Sequence, residues 1–361
     1  MNVGFLSHFD GNLYQFRLPV MKELVKRGHS VYAIAPKGDF FDEFRQYGIE
    51  TVEYPIDRAS LNPLKEIATI LEIKKRVEKL NLDILHSFTH KPNLYGAFVG
   101  SKYYIQTVTG LGSFFIHNDL KSKIIKAMIE YGYKITSKRV KRVIFQNSDD
   151  LEMFIQRKIV SKQKALLIKS SGIDTNEWRL EQKKKKSKKP IVLMIARVIK
   201  DKGVQEFINA AEILKDKAEF WYVGNIDRGN KNTFEPDWKN VKYLGFRKDI
   251  KQLIGQCDIF VLPSYREGVP RTLLEAASMS KPIVTTDVTG CKEVVDDGVN
   301  GFLVPVRDHK ELARKIEILI DNENLREEFG KKSRIKAVRE FDVKAVVEKY
   351  LEVYEKVLNE N

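Results

Sequence analysis

Two glutamates stand eight positions apart in the stretch Pro263-Ser264-Tyr265-Arg266-Glu267-Gly268-Val269-Pro270-Arg271-Thr272-Leu273-Leu274-Glu275, with a glycine and a prospective helix start between them. Ahead of them, Asp258-Ile259-Phe260-Val261-Leu262 has the length and apolar character of a buried strand. Behind them, Leu273 to Met279 favours helix, and Pro270 suits a first turn. Strand, loop and helix in that order put the loop at the carboxyl end of a parallel sheet. Ligands bind there, and the next helix offers N–H groups and a positive dipole end to an anion. An ordinary loop with exposed glutamates would show the same pattern. A second such loop, Ala196-Arg197-Val198-Ile199-Lys200-Asp201-Lys202-Gly203, also joins a strand to a helix. Its arginine contributes paired donors and its lysine a compact charge, a combination able to hold a diphosphate.

These loops need sheets to carry them. In the first half, strand-like segments at Val3 to Ser7, Val31 to Ala35, Thr51 to Tyr54, Ile84 to Ser87 and Tyr104 to Thr109 alternate with helical patterns. The helical segments are Phe16 to Leu24 and Pro63 to about Leu80, and a long one from Asp119 to Arg142 precedes the strand Val143 to Gln146. Around Gln182 to Pro190 the composition turns to lysine with no apolar period, which marks a linker or exposed loop. Alternation restarts with Ile191 to Ala196, a helix from Val204 to Leu214, and strands at Glu219 to Gly224, Val241 to Leu244, Asp258 to Leu262, Ile283 to Thr286 and Gly301 to Val304. The expectation is α/β, with two doubly wound domains over 1–170 and 171–340, and a closing helix over 341–361 that packs back toward the first domain.

Composition narrows the class. The 361 residues, 43% hydrophobic and 31% charged, describe a globular protein without an apolar run long enough to span a membrane. Cys257 and Cys291 make neither a metal-ligand spacing nor a disulfide framework, which suits a reducing cytoplasm. The net charge is +14, and it is uneven: residues 1–165 hold 26 Lys and Arg against 17 Asp and Glu, the remainder 37 against 32. The lysine run accounts for six of the later positive charges, so the excess belongs to the first half and the linker and implies an acidic partner.

Taken with Gly245-Phe246-Arg247-Lys248-Asp249-Ile250 and the run from Thr289 to Val304, these two loops resemble the donor-binding half of retaining glycosyltransferases of family 4, with the GT-B fold of two facing Rossmann-like domains and an interdomain cleft. The resemblance covers residues 190 to 310 in the family's order and spacing, and what it implies can be stated residue by residue. Glu275 would accept from the ribose hydroxyls of a nucleotide, and Glu267 would lie against the donor sugar. Backbone N–H groups from Gly268 through Val269 and Pro270 to Arg271 would meet the diphosphate, with Arg247 also on the donor. Arg197 and Lys202 would neutralise the charge growing on the leaving diphosphate, so no metal and no cofactor is called for. In the first domain, Gly11 within Ser7-His8-Phe9-Asp10-Gly11-Asn12 fills the place of the family's glycine-rich loop, where it would let the backbone approach the donor phosphates and the reacting sugar, although no G-x-G-x-x-G is present. Many members carry a histidine where Thr109 stands; here a hydroxyl and a backbone carbonyl take its place.

The basic excess concentrates in Lys121 to Lys134 and on to Lys138-Arg139-Val140-Lys141-Arg142, just after Phe114-Phe115-Ile116. Lysines interleaved with apolar residues suit a helix on an anionic leaflet, each basic residue near the surface contributing roughly 1 kcal/mol. A helix with Ile124, Ile125, Met128 and Ile129 in the core and its lysines in water would read the same way. No nucleic-acid module accompanies the charge. His86, Lys91, Phe114, Phe115, Lys121, Lys123 and Lys126 are the candidates to meet acceptor or membrane. The pattern is similar to bacterial enzymes that extend undecaprenyl-diphosphate-linked glycans. It implies a peripheral enzyme on the cytoplasmic face of the membrane that moves a sugar, with N-acetylgalactosamine as the first candidate, from a UDP donor to a polyprenyl-diphosphate-linked acceptor. A hexose donor in capsule or lipopolysaccharide synthesis, or a silent sugar-nucleotide binder, fits the same residues.

Overall fold

Strands that read as unbroken apolar runs belong in parallel sheets covered on both faces, where neither side of the strand meets water. Ile191–Ile195, Ile259–Leu262 and Tyr103–Val108 are buried along their whole length. The computed structural model describes the chain except residues 59, 61, 181–188, 231 and 361. Most of the lysine-rich stretch therefore lies outside the described residues. The chain divides into two compact units, Met1–Ser171 with Lys344–Asn361, and Gly172–Val343.

The first unit runs β1 (Asn2–Leu6), α1 (Asp10–Phe16), α2 (Leu18–Lys26), β2 (Ser30–Ala35), β3 (Glu50–Glu53), α3 (Pro63–Val77), β4 (Ile84–Phe88), α4 (His90–Gly96), β5 (Tyr103–Val108), α5 (Leu120–Thr136), β6 (Arg142–Phe145), α6 (Ser148–Gln156) and β7 (Ala165–Leu167). All seven strands are parallel, in the order β3-β2-β1-β4-β5-β6-β7. Strand order reverses direction between β1 and β4. The single helix expected from Phe16 to Leu24 is instead the junction of two. Arg17 breaks it at φ −122°, ψ −15°, because its guanidinium is buried over the Phe88 ring at 4.4 Å. The long helix expected to Arg142 stops at Thr136, so Lys138, Arg139 and Lys141 lie in the turn before β6 and Arg142 opens that strand.

The second unit runs β8 (Ile191–Ile195), α7 (Val204–Ile213), β9 (Glu219–Val223), β10 (Val241–Tyr243), α8 (Ile250–Gln256), β11 (Ile259–Leu262), α9 (Arg271–Ser278), β12 (Ile283–Thr286), α10 (Cys291–Val294), β13 (Gly301–Val304), α11 (His309–Asp321) and α12 (Glu323–Phe341). Its six parallel strands follow the order β10-β9-β8-β11-β12-β13, with the reversal between β8 and β11. The last helix, α13 (Val343–Asn359), returns to the first unit. There Tyr350 accepts from Arg17 Nη1 at 3.5 Å, and the Tyr354 hydroxyl lies 2.6 Å from His86 Nδ1.

Candidate active site

In a doubly wound sheet the loops that leave the two strands flanking the reversal diverge, and the gap between them is where a ligand fits. In the second unit those are the loops after β8 and β11. The first carries Arg197 and then a 3-10 turn, Lys200–Lys202, and the second carries Glu267. They are joined by backbone and by charge: Tyr265 N–H donates to the Asp201 carbonyl at 2.9 Å, and Lys202 Nζ donates to Glu267 Oε1. Gly203, at φ +72°, permits the join, since a Cβ there would lie 2.1 Å from the Pro263 carbonyl oxygen. The loop after β12 is drawn in the same way. Glu267 N–H donates to the Thr289 carbonyl at 3.0 Å, and Gly290 at φ +82° leaves no room for a Cβ beside the Gly268 carbonyl. Tyr265, between the two loops, is braced by its hydroxyl on Glu206 at 2.7 Å and by the Arg307 guanidinium over its ring at 4.9 Å. No spacing in the sequence announces that brace.

The expected donor residues therefore separate into those brought together and those held apart. Lys202 and Glu267 meet. Arg197 reaches outward to Asp227 at 2.7 Å, and Arg247 forks onto the Asp249 carboxylate at 2.8 and 2.6 Å. Val269 packs against the core of the unit, and Pro270 is the N-cap of α9. Proline has no N–H, so the expectation that every backbone N–H from Gly268 to Arg271 can donate is corrected at Pro270. Glu275, one turn into α9, is buried and accepts from Arg271 Nε at 3.0 Å. Burial raises its carboxyl to about 7, with the Arg271 charge opposing.

In the first unit the candidates lie around β1, β4 and β5. Gly11 is inside α1, where a Cβ would collide with the Phe9 ring, and Asp10 beside it is buried, accepting from Gly11 N–H at 2.7 Å and Phe40 N–H at 2.8 Å. Thr109 follows β5, half-buried. The expectation that His86 meets acceptor or membrane is overturned. Its ring is wholly buried, with Nδ1 on Tyr354 at 2.6 Å and Nε2 on Thr107 at 2.7 Å, so both nitrogens are spent. Lys91 is likewise spent, donating to the carbonyls of Asp57 and Ser60 at 2.9 and 2.7 Å and to Glu66 at 2.9 Å. His8, after β1, was not singled out by any motif. Its Nδ1 lies 2.7 Å from Thr89 Oγ1, and burial, with help from Arg58, His90 and Lys91, lowers its pKa to about 4.

On α5, Lys121 and Lys123 are exposed and Lys126 lies 5.1 Å from the Phe115 ring centroid; Phe114 is exposed. Ile125 and Ile129 turn inward, whereas Leu120, Ile124, Met128, Tyr131 and Ile135 are exposed, the last four along one stripe. The reading that placed Ile124 and Met128 in the core is therefore corrected, with 53% and 56% of their surface in water. Leu64, Ile67 and Leu71 form a similar stripe on α3. Among the described residues no helix is long and apolar enough to cross a membrane.

Residues 176–336 match the family described as Glycosyl transferases group 1, and residues 5–147 match Glycosyl transferase 4-like. A Campylobacter jejuni protein, N,N'-diacetylbacillosaminyl-diphospho-undecaprenol alpha-1,3-N-acetylgalactosaminyltransferase, is 36% identical over 99% of each chain. The chain is a glycosyltransferase of this family. An Escherichia coli relative, UDP-Gal:alpha-D-GlcNAc-diphosphoundecaprenol alpha-1,3-galactosyltransferase, is 24% identical over 88% of this chain and 86% of its own. Among solved structures, a Rickettsia africae glycosyltransferase superposes with a TM-score of 0.80 at 20% identity, covering 100% of this chain and 99% of that one. Anabaena Alr3699/HepE in complex with UDP gives 0.77 at 20%, covering 99% and 100%. The fold of the transferase is thus GT-B, two Rossmann-like parallel-sheet units. In it, the chemistry available at the second unit's reversal is that of an ammonium and a carboxylate held against each other, in a loop that runs on into a helix whose start no side chain caps and which buries the Glu275 carboxyl one turn in.

Proposed function

We propose that the transferase moves N-acetylgalactosamine from UDP-N-acetylgalactosamine to a saccharide linked to undecaprenyl diphosphate, with retention, forming an alpha linkage. Similarity over the whole chain to the Campylobacter jejuni enzyme supports donor and acceptor, and the Escherichia coli relative shares the polyprenyl-diphosphate acceptor while carrying a different sugar. The observation that carries the reading is the Lys202–Glu267 pair at the strand reversal. Glu267 holds the lysine ammonium in place, so that Lys202 meets the donor diphosphate with little reorganisation when charge develops there. Arg197, half-exposed on Asp227, exchanges that carboxylate for a phosphate oxygen when the donor binds. Glu275 accepts from the ribose diol.

In the step itself, the bond from the sugar's anomeric carbon to the β-phosphate oxygen breaks and the acceptor hydroxyl oxygen bonds to that carbon on the same face. The hydroxyl proton passes to the leaving phosphate oxygen, so no protein base is required, and Thr109 contributes a hydroxyl and a carbonyl for orientation. The two cationic side chains meet the leaving charge without a metal. The acceptor is lipid-linked, and the lysines and exposed apolar stripe of α5 hold the enzyme on the anionic cytoplasmic leaflet.

The test is transfer from a panel of UDP-sugars to a prenyl-diphosphate-linked acceptor, with UDP-induced melting shift measured alongside. Wild type should melt higher with UDP and use UDP-N-acetylgalactosamine best. Lys202→Ala should lower kcat at least about a hundredfold with the fold intact, the scale of losing one preorganised charge contact. Full activity in that variant, or no UDP shift in wild type, would refute the assignment.

A further inference from the structure

The first unit has a strand reversal of its own, between β1 and β4, and His8 and Thr89 stand at the carboxyl ends of those two strands. Their side chains meet at 2.7 Å. Thr89 is held at φ +72°, ψ 166°, a conformation that essentially only glycine adopts freely, so its neighbours over-determine it. Because Nδ1 of His8 is engaged with Thr89, Nε2 is the nitrogen left to meet a ligand. The His8 ring stays neutral at physiological pH and offers a hydrogen bond rather than a charge.

A cation completes the place. The Arg58 guanidinium lies 5.8 Å from the Phe9 ring centroid, and that ring stands edge-on to His8 at 6.0 Å. Lys91 clamps the loop on both sides of Arg58 through the Asp57 and Ser60 carbonyls, which makes Lys91 the loop's fastener and Arg58 the charge it presents. The acids nearby are already matched: Glu66 by Lys91 and Tyr95, Asp57 by Lys65, and Asp10 by two backbone N–H groups. Among the described residues, no carboxylate pairs with Arg58.

We propose that Arg58 and His8 form the acceptor's seat on the first unit: Arg58 takes a phosphate oxygen of the diphosphate-linked head group, and His8 Nε2 hydrogen-bonds a hydroxyl of the sugar attached to it. This rests on the transferase reading above. A nucleotide diphosphate offers Arg58 the same phosphate chemistry, so the test is made with UDP saturating. A short-chain prenyl-diphosphate-linked acetamido sugar, soluble without vesicles, is titrated calorimetrically into the full chain. Arg58→Ala should weaken binding at least tenfold and Arg58→Lys recover part of it; His8→Phe should weaken it about fivefold and His8→Gln recover most. None should change the UDP-induced melting shift.

Wild-type affinity in Arg58→Ala overturns the seat, as does an absence of binding to wild type. Loss of UDP affinity in step with loss of the probe also overturns it, by moving the pair to the donor. Should His8→Phe fold poorly, Arg58→Ala, on an exposed side chain, still decides. If wild type binds the probe through Arg58 yet no UDP-sugar yields product, the seat stands and the transferase reading fails. If product forms with an unchanged acceptor KM in Arg58→Ala, the reverse holds.

Discussion

Burial lifts the Glu275 carboxyl to about 7 from an ordinary 4.5, and Arg271 only partly offsets the lost solvation. Between those two values the folded protein keeps a proton that the unfolded chain has released. Stability contributed by this group is therefore present below about pH 4.5, falls as pH rises, and is fully lost above about 7. The gap corresponds to roughly 3 kcal/mol. Glu275→Gln removes the titration while keeping the shape and an acceptor oxygen, and Arg271, partly exposed, can turn to water. The variant should gain about 1–3 kcal/mol over wild type at pH 8 and nothing near pH 4.5, read from urea unfolding at the two pH values. Because a carboxylate accepts from a diol better than an amide does, the same variant should bind UDP several-fold more weakly at pH 8. A stability difference that did not depend on pH would refute the electrostatic account.

At the scale of elements, the loops after β8, β11 and β12 act as one piece because glycines let their backbones touch. Gly203→Ala would set a methyl 2.1 Å from the Pro263 carbonyl oxygen at a φ of +72°. The expected cost is about 3 kcal/mol, read as a fall in melting temperature of roughly 5–10 °C for a unit of this size, with a weaker UDP shift besides. An unchanged melting point would show that the two loops part without penalty. Much of this was legible beforehand. Apolar runs such as Ile191–Ile195 marked the strands, and E-x7-E marked the loop that ends in α9, because both signals are local. Arg17 was not legible as a helix break, since its reason is a ring on β4 seventy-one residues away in the chain. Nor was the His8–Thr89 pair, which joins residues 81 apart and has no periodic trace. The basic run past Thr136 misled for a related reason: lysine and arginine favour helix locally, but β6 needs Arg142 for its pairing with Ile105.

At the scale of the whole molecule, the proposed function assigns chemistry and membrane contact to different units. On the proposed function, Lys202, Glu267 and Glu275, which meet the donor, lie in the second unit. The first carries most of the excess positive charge, and right-handed crossovers place α3, α4 and α5 on one face of its sheet. Two exposed apolar stripes share that face, Leu64, Ile67 and Leu71 on α3 and Ile124, Met128, Tyr131 and Ile135 on α5, with Lys121 and Lys123 beside the second. The proposed contact with a leaflet rich in anionic lipid would use both the charge and the apolar surface, and the two contributions differ in their response to salt. Changing Lys121, Lys123 and Lys126 to Glu reverses three charges. At roughly 1 kcal/mol for each lysine lost, binding to phosphatidylglycerol vesicles should fall at least a hundredfold in low salt. Ile124→Ser with Met128→Ser should instead weaken binding in a way that high salt does not mask, because it removes buried apolar area and no charge. Both sets leave the second unit untouched, so the UDP-induced melting shift should stay at the wild-type value. Vesicle sedimentation across a salt series reads all three outcomes. Equal binding of wild type and the charge-reversed variant at low salt would remove α5 from the membrane contact and leave α3 to be tested in the same way.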